Sequence, residues 1–432
     1  MFDQLPTDSS RLVIKGARVV DPSQNLDAVC NVFLVGGRIA GLSAEDIPDA
    51  EAVDARGLVC APGLVDMHVH LRDPGQTYKE DIESGCRAAA AGGITSLACM
   101  PNTVPALDDP AVIGDVVKRA ADAKARVYPV AAVTASLAGQ TLNDFAALKA
   151  AGAVAVSDDG RPVPTAGQML DAMRAASALS MPVLSHCEDL TLTRGGILND
   201  GEVSRRLGVP GIHRAAEEVA TARDIAIAAA TGLPVHICHV STRGSVALLR
   251  DARRRGVPVT GETAPHYFTF TEEALLGRDA DFRMNPPLRT ADDREAVIEG
   301  LCDGTLSAIA TDHAPHSPEE KADFFRAPNG SIGMETSLAA GITALVATGR
   351  LSLSRLLWLM SAEPARLLGI PGGTLRVGAP ADIVLFDPEQ EWVVDPAKLH
   401  GKSRNTPFKG MTLRGRVKAT LLGGRVVYRS ED

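Results

Sequence analysis

The chain has 432 residues, of which 45% are hydrophobic and 22% are charged. These values are typical of a globular protein with a large core and exclude a mainly disordered chain. The formal charge of −9 and the lack of any run of Lys and Arg argue against a surface for nucleic acid. No apolar stretch reaches the ~20 residues of a membrane span, so we expect neither nucleic acid nor a membrane as a partner.

Seven cysteines are spread along the sequence, at positions 30, 60, 86, 99, 187, 238 and 302, and none forms a CxxC pair. An odd, scattered set indicates reduced thiols rather than a disulfide framework. The first residues, MFDQLPTDSS, include acidic side chains and no apolar run, so they do not predict a signal peptide. We therefore expect a cytoplasmic protein.

The two ends of the chain share a pattern of short alternating runs separated by glycines. LVIKGARVVDP and VFLVGGRIAGLS occur near the start, and MTLRGRVKATLLGGRVVY occurs near the end. Such runs are typical of antiparallel hairpins. Two unrelated β segments would explain them, but the shared pattern favours one small composite β-sandwich domain, formed by residues 1–62 and 369–432.

Between the ends, strand-like runs alternate with longer amphipathic stretches, among them 214–230, 243–255 and 334–348. Eight such runs occur, at 64–70, 94–100, 126–133, 153–159, 182–188, 234–240, 258–264 and 306–313. This rhythm predicts an α/β fold in which residues 63–368 form a TIM-like (β/α)8 barrel.

Histidines and aspartates stand at the C-terminal ends of these predicted strands, where barrels build their active sites. They are His68, His70, Asp159, His186, His239 and Asp312. Each has an ordinary explanation alone: a polar surface pair, an Asp-Gly turn, a buried core histidine or a helix cap. A shared position of six such residues at five strand ends is better explained by one site.

The spacing His68-Val69-His70 places two imidazoles on one face of a strand, where both can bind one ion. Imidazoles and carboxylates are ligands that zinc accepts. An aspartate that bridges two ions would set them roughly 3.5–4 Å apart. Asp312 can both bind a metal ion and take a proton from the attacking water. The sequence therefore predicts a site for two zinc ions.

Several segments together resemble bacterial dihydroorotases of the two-domain type, within the amidohydrolase superfamily. They are PGLVDMHVHLRDPG, MPNT, SDDG, SHCED, CHVST, MNPPLR, TDHAPH and GTLRVGAPADIVLFD. The resemblance as a whole runs in order over nearly the whole chain, from about residue 12 to 428. HxH and GAPADIVLFD are signals of the whole superfamily. HVHLRDPG combined with MPNT and DHAPH is more specific.

The resemblance implies a role for each matching residue. His68, His70 and Asp312 would bind one zinc ion, His186 and His239 the other, and Asp159 both. Arg72, Asn102 and His316 would engage the substrate carboxylate, Asn285 the ring, and His70, Asn329 and Gly330 would also contact the substrate. Arg72 follows His70 by two residues, so we expect it on the same strand face. An aromatic residue is expected before Gly330, where this chain has Asn329.

The implied reaction is the reversible, zinc-dependent cyclisation of N-carbamoyl-L-aspartate to L-dihydroorotate in pyrimidine (UMP) biosynthesis. In the hydrolytic direction, Asp312 would carry the proton of the attacking water to the departing ring nitrogen. A homo-oligomer is expected, with a dimer as one form. Association with aspartate transcarbamoylase stays open.

Two alternatives remain. Dihydropyrimidinase and allantoinase resemble this chain, but they generally bridge their metals with a carboxylated lysine, and no lysine between 101 and 186 falls at a predicted strand end. A non-catalytic, dihydroorotase-like scaffold for aspartate transcarbamoylase would be expected to lose metal ligands, whereas all six are retained here.

Overall fold

The computed structural model describes residues 11–43 and 51–431 of the chain. Residues 1–10, on which the prediction of no signal peptide rests, lie outside the described residues. Residues 44–50 and 432, which fall in the predicted β domain, do so as well. The predicted domain boundaries at 62/63 and 368/369 stay predictions.

The strands and helices alternate over most of the described chain. The strands are β1 Arg11–Asp21, β2 Leu26–Val35, β3 Arg38–Ser43, β4 Glu51–Asp54, β5 Val59–Pro62, β6 Leu64–Val69, β7 Ile94–Cys99, β8 Arg126–Ala132, β9 Ala155–Ser157, β10 Leu184–Ser185, β11 Leu198–Asn199, β12 Gly211–Ile212, β13 Val235–Ile237, β14 Val259–Thr263, β15 Ala308–Ile309, β16 Ile383–Val393, β17 Thr412–Leu422 and β18 Arg425–Arg429. The α-helices are α1 Ile82–Ala91, α2 Pro110–Arg119, α3 Phe145–Ala150, α4 Ala166–Ala178, α5 Leu190–Thr193, α6 Glu202–Leu207, α7 Ala215–Thr231, α8 Arg243–Arg254, α9 Pro265–Thr269, α10 Ala291–Cys302, α11 Pro318–Lys321, α12 Ser337–Gly341, α13 Leu353–Leu357 and α14 Glu363–Leu368.

Strands from both ends of the chain form one sheet, in the order β18-β17-β16-β5-β1-β2-β3, with β4 paired to β1. The antiparallel pairing of β16 with β5 joins the two halves. Along β17, residues alternate between buried and partly exposed, which is the pattern of a strand with one face on a core. Ile14, Ile383 and Leu421 pack together in that core. The predicted β-rich domain of composite origin is therefore confirmed.

The eight predicted barrel strands are all present, in two parallel sheets of four, β6-β7-β8-β9 and β10-β13-β14-β15. Single bridges join the two sheets on both sides: Val156 pairs with Val183, and Val69 pairs with His313. The eight strands therefore close on themselves, as the (β/α)8 prediction requires.

The helices of the barrel largely follow the predicted stretches. Helices α7 and α8 match 214–230 and 243–255 closely, and the Thr242 side chain caps α8 by accepting from the backbone N–H of Ser245. The stretch 334–348 differs, because α12 is short and continues as a π-helical turn over Ile342–Val346. Within the described ranges, no helix is long and apolar enough to cross a bilayer.

Candidate metal centre and substrate pocket

All six predicted metal ligands lie at the C-terminal mouth of the barrel, and all six are buried. His68 is the only one inside a strand, because β6, β9, β10, β13 and β15 end slightly earlier than the apolar runs suggest. The other five follow their strands by one to three residues: His70, Asp159, His186, His239 and Asp312. The barrel therefore brings together residues that are up to 244 positions apart in sequence, as the span from His68 to Asp312 shows.

The first donor group contains His68, His70 and Asp312. Oδ1 of Asp312 lies 3.2 Å from Nε2 of His70 and 3.6 Å from Nε2 of His68. Nε2 of His68 is buried and has no hydrogen-bond partner in the protein. Buried polar atoms normally have a hydrogen-bond partner, so an unpartnered ring nitrogen beside a carboxylate indicates a ligand atom of a metal site.

The second donor group contains Asp159, His186 and His239. Oδ1 of Asp159 lies 3.2 Å from Nδ1 of His186 and 3.6 Å from Nε2 of His239, and it is also buried without a hydrogen-bond partner. Oδ2 of the same carboxylate lies 3.5 Å from Nε2 of His70. Asp159 thus faces both donor groups, which is the arrangement that a bridging ligand needs. The donor set fits divalent metal ions.

Two of these residues adopt backbone conformations that side chains other than glycine rarely take. The φ angle is +35° at His239 and +49° at Asp312, and Arg72 has a φ of +59°. Each such conformation costs on the order of 1–3 kcal/mol and tends to occur at functional sites. Sequence reasoning placed Arg72 on the strand face with His70. That expectation is wrong, because β6 ends at Val69 and the chain turns at Arg72 before the Asp73-Pro74 segment.

The surrounding imidazoles favour the ionised form of the Asp159 carboxylate. Burial raises the pKa of Asp159, but the neighbouring imidazoles of His68, His186 and His239 outweigh it and bring that pKa well below its usual value. Burial also opposes protonation of His186, yet hydrogen bonds to Asp159 and Glu188 raise its pKa to about 10. A metal ion bound at this buried point would take the place of the proton on His186, since an imidazole binds a metal in its neutral form.

Glu262 lies beside the proposed ligands and was missed by sequence reasoning. Oε1 of Glu262 lies 2.9 Å from Nδ1 of His68, and Oε2 lies 3.2 Å from Nε2 of His236. Oγ1 of Thr260 in turn lies 2.8 Å from Nδ1 of His236. The available signal was an acidic residue inside the predicted strand run that became β14. Donor atoms of His68, Cys238 and Glu262 also lie within 4.8 Å of one another. The hydrogen bond between Glu262 and His68 explains why Glu262 lies in this group.

The predicted carboxylate-binding residues Arg72 and His316 lie next to each other. Nη2 of Arg72 is 3.4 Å from Nε2 of His316, and Nε of Arg72 donates to the backbone oxygen of Pro315. Lys79, which the sequence did not single out, faces Nδ1 of His316 at 3.5 Å and pairs with Glu320 at 2.9 Å. This corner of the mouth therefore collects cationic donors, suitable for a carboxylate.

Asn102 makes hydrogen-bond contacts with two of the proposed ligands. Its Oδ1 lies 2.8 Å from Nδ1 of His70, and its Nδ2 donates to Oδ2 of Asp159 at 3.2 Å. Asn285 donates to Oε2 of Glu188 at 3.2 Å, while its own Oδ1 is buried without a partner. Glu188 also contacts Nε2 of His186, so Asn285 is linked to the second donor group.

The loop residues Asn329 and Gly330 lie beside His316. The backbone oxygen of Asn329 accepts a hydrogen bond from Nε2 of His316 at 2.9 Å. The backbone N–H of Gly330 donates to the backbone oxygen of Arg283, and its oxygen accepts from Nζ of Lys321. These backbone groups are thus engaged within the protein and hold the loop against His316.

The sequence matches two known family models over most of its length. The dihydro-orotase-like family matches residues 57–245, and the amidohydrolase family matches residues 282–428. In overall structure the chain is similar to L-hydantoinase (dihydropyrimidinase) from Arthrobacter aurescens. The TM-score is 0.87 and the identity 25%, over 98% of this chain and 96% of that one.

Relatives with about 50% identity to this chain are named dihydroorotases. The dihydroorotase of Citrifermentans bemidjiense is 50% identical over 425 residues, which is 97% of this chain and 100% of the relative. The dihydroorotase of Syntrophus aciditrophicus is 49% identical over 426 residues, 98% of this chain and 100% of the relative. The chain therefore belongs to the dihydroorotase family.

Proposed function

We propose that this protein is a dihydroorotase that interconverts N-carbamoyl-L-aspartate and L-dihydroorotate in pyrimidine biosynthesis, and that it uses two zinc ions. As a member of this family, it is a hydrolase that acts on cyclic amide bonds. The observation that carries the proposal is the donor set around Asp159, which lies beside a pocket rich in cationic donors. The donor set is suited to metal-assisted hydrolysis of an amide. The cationic donors are suited to binding the carboxylate of the substrate.

The proposed ligands of one zinc ion are His68, His70, Asp159 and Asp312. Those of the other are Asp159, His186 and His239. The orphaned Nε2 of His68 and Oδ1 of Asp159 support this assignment, because buried polar atoms are rarely left without a partner. When bound, such ions lower the pKa of water to near neutrality and polarise a carbonyl oxygen.

Asp312 is the proposed proton carrier. Its side chain is 10% exposed, more than that of His68 at 0%, His70 at 5% or Asp159 at 6%, so it is the donor-set member most open to the pocket. In hydrolysis, its carboxylate takes a proton from the attacking water and delivers it to the departing ring nitrogen. In cyclisation, the same carboxylate carries the proton in reverse.

The remaining proposed contacts orient the substrate. Arg72 and His316 bind the carboxylate, and Asn285 binds the ring through its Oδ1, which has no partner in the protein. Asn102 is proposed to reach the substrate as well, although its amide already contacts His70 and Asp159. Asn329 and Gly330 would act by holding the loop that faces His316, since their backbone groups bond within the protein.

The proposed setting is the cytoplasm, which the seven free cysteines support. We also propose a homo-oligomer, with a dimer as the form to test first by light scattering. Association with aspartate transcarbamoylase is a further proposal that rests on the resemblance of the sequence, and mixing the two purified proteins would test it.

The decisive experiment compares cyclic substrates with purified, zinc-replete protein. Hydrolysis of L-dihydroorotate is followed by absorbance, beside hydantoin, dihydrouracil and allantoin, while zinc is counted per chain by elemental analysis. We expect clear preference for L-dihydroorotate and two zinc ions. A preference for hydantoin or allantoin, or full activity with a single ion, would contradict the proposal.

A variant pair makes the result specific to the site. Asp159→Ala should lose zinc and activity together, because it removes the carboxylate that faces both donor groups. Asp171→Asn, on the exposed face of α4, is the matched control and should leave both unchanged.

A further inference from the structure

Lys79 is a buried lysine in the substrate pocket to which the proposed function has assigned no role. Its residue surface is 7% exposed, and it lies in the turn between Arg72 and helix α1. Its Nζ pairs with Oε1 of Glu320 at 2.9 Å and lies 3.5 Å from Nδ1 of His316. Because removing an ammonium group from water is costly, its position needs an explanation beyond a surface ion pair.

The contacts of His316 determine which of its ring nitrogens carries the proton. Nε2 lies 2.9 Å from the backbone oxygen of Asn329, and a carbonyl oxygen can only accept. Nε2 therefore carries the proton. Nδ1 of the neutral ring presents its lone pair to Nζ of Lys79 at 3.5 Å, and Oε2 of Glu320, the partner of that ammonium, lies at the same distance from Nδ1. Burial, together with the charges of Arg72, Lys321 and Lys79, lowers the pKa of His316 to about 3, so the ring is neutral.

This arrangement leaves two donors facing each other. Nη2 of Arg72 lies 3.4 Å from Nε2 of His316, and both atoms carry hydrogen. The Nε2–H donates to the backbone oxygen of Asn329 here, and a substrate carboxylate beside Arg72 would compete for that hydrogen: one of its oxygens would accept from Arg72 and the other from Nε2–H. Lys79 stands on the opposite side of the imidazole and supports the same tautomer, which keeps Nε2 as the donating edge when a carboxylate takes the place of the Asn329 oxygen.

We infer that Lys79 is a positioning residue for the substrate carboxylate: its ammonium holds Nδ1 of His316, so that the Nε2–H edge is kept as the donor beside Arg72. Glu320, on helix α11, is the counter-ion that keeps this ammonium in place. The inference rests on the proposed function, since it names a determinant of carboxylate specificity within that site.

A structural alternative makes a different prediction. If Lys79 only anchored α11 through Glu320, then its removal would affect every cyclic substrate alike, whether or not the substrate carries a carboxylate. If it acts through His316, the effect is confined to carboxylated substrates and disappears when His316 is already replaced.

The test measures KM and kcat of zinc-loaded wild type, Lys79→Met, Lys79→Arg, His316→Gln and the double variant Lys79→Met/His316→Gln. L-dihydroorotate is compared with dihydrouracil, which lacks the carboxylate; where dihydrouracil is not turned over, its inhibition constant is used. Lys118→Met, an exposed lysine on α2, is the matched control. Thermal unfolding and zinc content confirm that each variant is folded and loaded.

We expect Lys79→Met to raise KM for L-dihydroorotate by about 10- to 100-fold, the range for a lost hydrogen bond to a charged group, with a smaller change in kcat. Dihydrouracil should be unaffected, Lys79→Arg should recover part of the loss, and the double variant should be no worse than His316→Gln. Equal effects on both substrates, an unchanged KM or additive losses would overturn the inference. A wild-type protein that does not hydrolyse L-dihydroorotate would instead overturn the proposed function, and this inference with it.

Discussion

Nδ1 of His68 lies 2.9 Å from Oε1 of Glu262, and neither side chain is more than 2% exposed. Because a carboxylate only accepts, Nδ1 carries the proton, and the lone pair of Nε2 faces Asp159 and Asp312. Hydrogen bonds of this kind fix the ring orientation of metal-binding histidines and strengthen them as ligands. Glu262 thus orients His68 for its proposed role as a metal ligand.

Glu262→Gln should therefore weaken zinc binding. The amide keeps an oxygen near His68 but removes the negative charge, and the loss of such a partner typically lowers metal affinity by about 10- to 100-fold. Competition with a chromophoric chelator measures the affinity. Glu273→Gln, at an exposed position, is the matched control. Zinc affinity equal to that of the wild type would show that Glu262 does not support His68.

The sequence was sufficient for the barrel and for the proposed ligands because both follow simple periodic rules. Strand ends are marked where an apolar run meets a polar residue, and in a parallel barrel all such ends share one rim. The predicted runs were longer than the strands: β10 contains only Leu184 and Ser185, because pairing stops before His186. Hydrophobicity does not report where hydrogen bonding between strands ends.

The residues that the sequence did not reveal do not stand at the end of an apolar run. Glu262 sits within the β14 run, and Lys79 lies in an irregular turn, so their importance depends on contacts with His68 and His316 that are distant in sequence. Arg72 was placed near the pocket for the wrong local reason. The strand stops at Val69, and a positive φ at Arg72 turns the chain.

Asp312→Asn should retain zinc but lose most turnover. Asparagine keeps an oxygen at the position that faces His68 and His70, but it cannot take up the proton of the attacking water. Loss of a general base typically slows a reaction by about 10²- to 10⁴-fold. Single-turnover hydrolysis of L-dihydroorotate together with elemental analysis measures both properties. Near wild-type rates in zinc-replete variant would show that another group carries the proton.

Arg72→Ala should weaken productive binding of carboxylated substrates. The guanidinium lies beside His316, and a charge-assisted hydrogen bond contributes about 1.5–3 kcal/mol, equivalent to roughly 10- to 100-fold in KM. The comparison of L-dihydroorotate with uncharged cyclic imides separates this effect from a general loss of fold. If both kinds of substrate slowed equally, Arg72 would not be the carboxylate-binding residue.

The equilibrium catalysed by the protein should shift with pH. Cyclisation converts one carboxylate of N-carbamoyl-L-aspartate into an amide carbonyl and releases water, so it consumes one proton. Above the carboxyl pKa of about 4, each unit of decrease in pH should therefore favour L-dihydroorotate by about tenfold. Asp312 returns to its starting state after each turnover, so the proton comes from solvent and the ratio depends on pH alone.

The ratio is measured by chromatography after approach from both directions, with Arg72→Ala as a control that should reach the same ratio more slowly. A ratio that stayed constant between pH 6 and 8, roughly neutral conditions in which both carboxylates are ionised, would mean that the substrate has been misidentified.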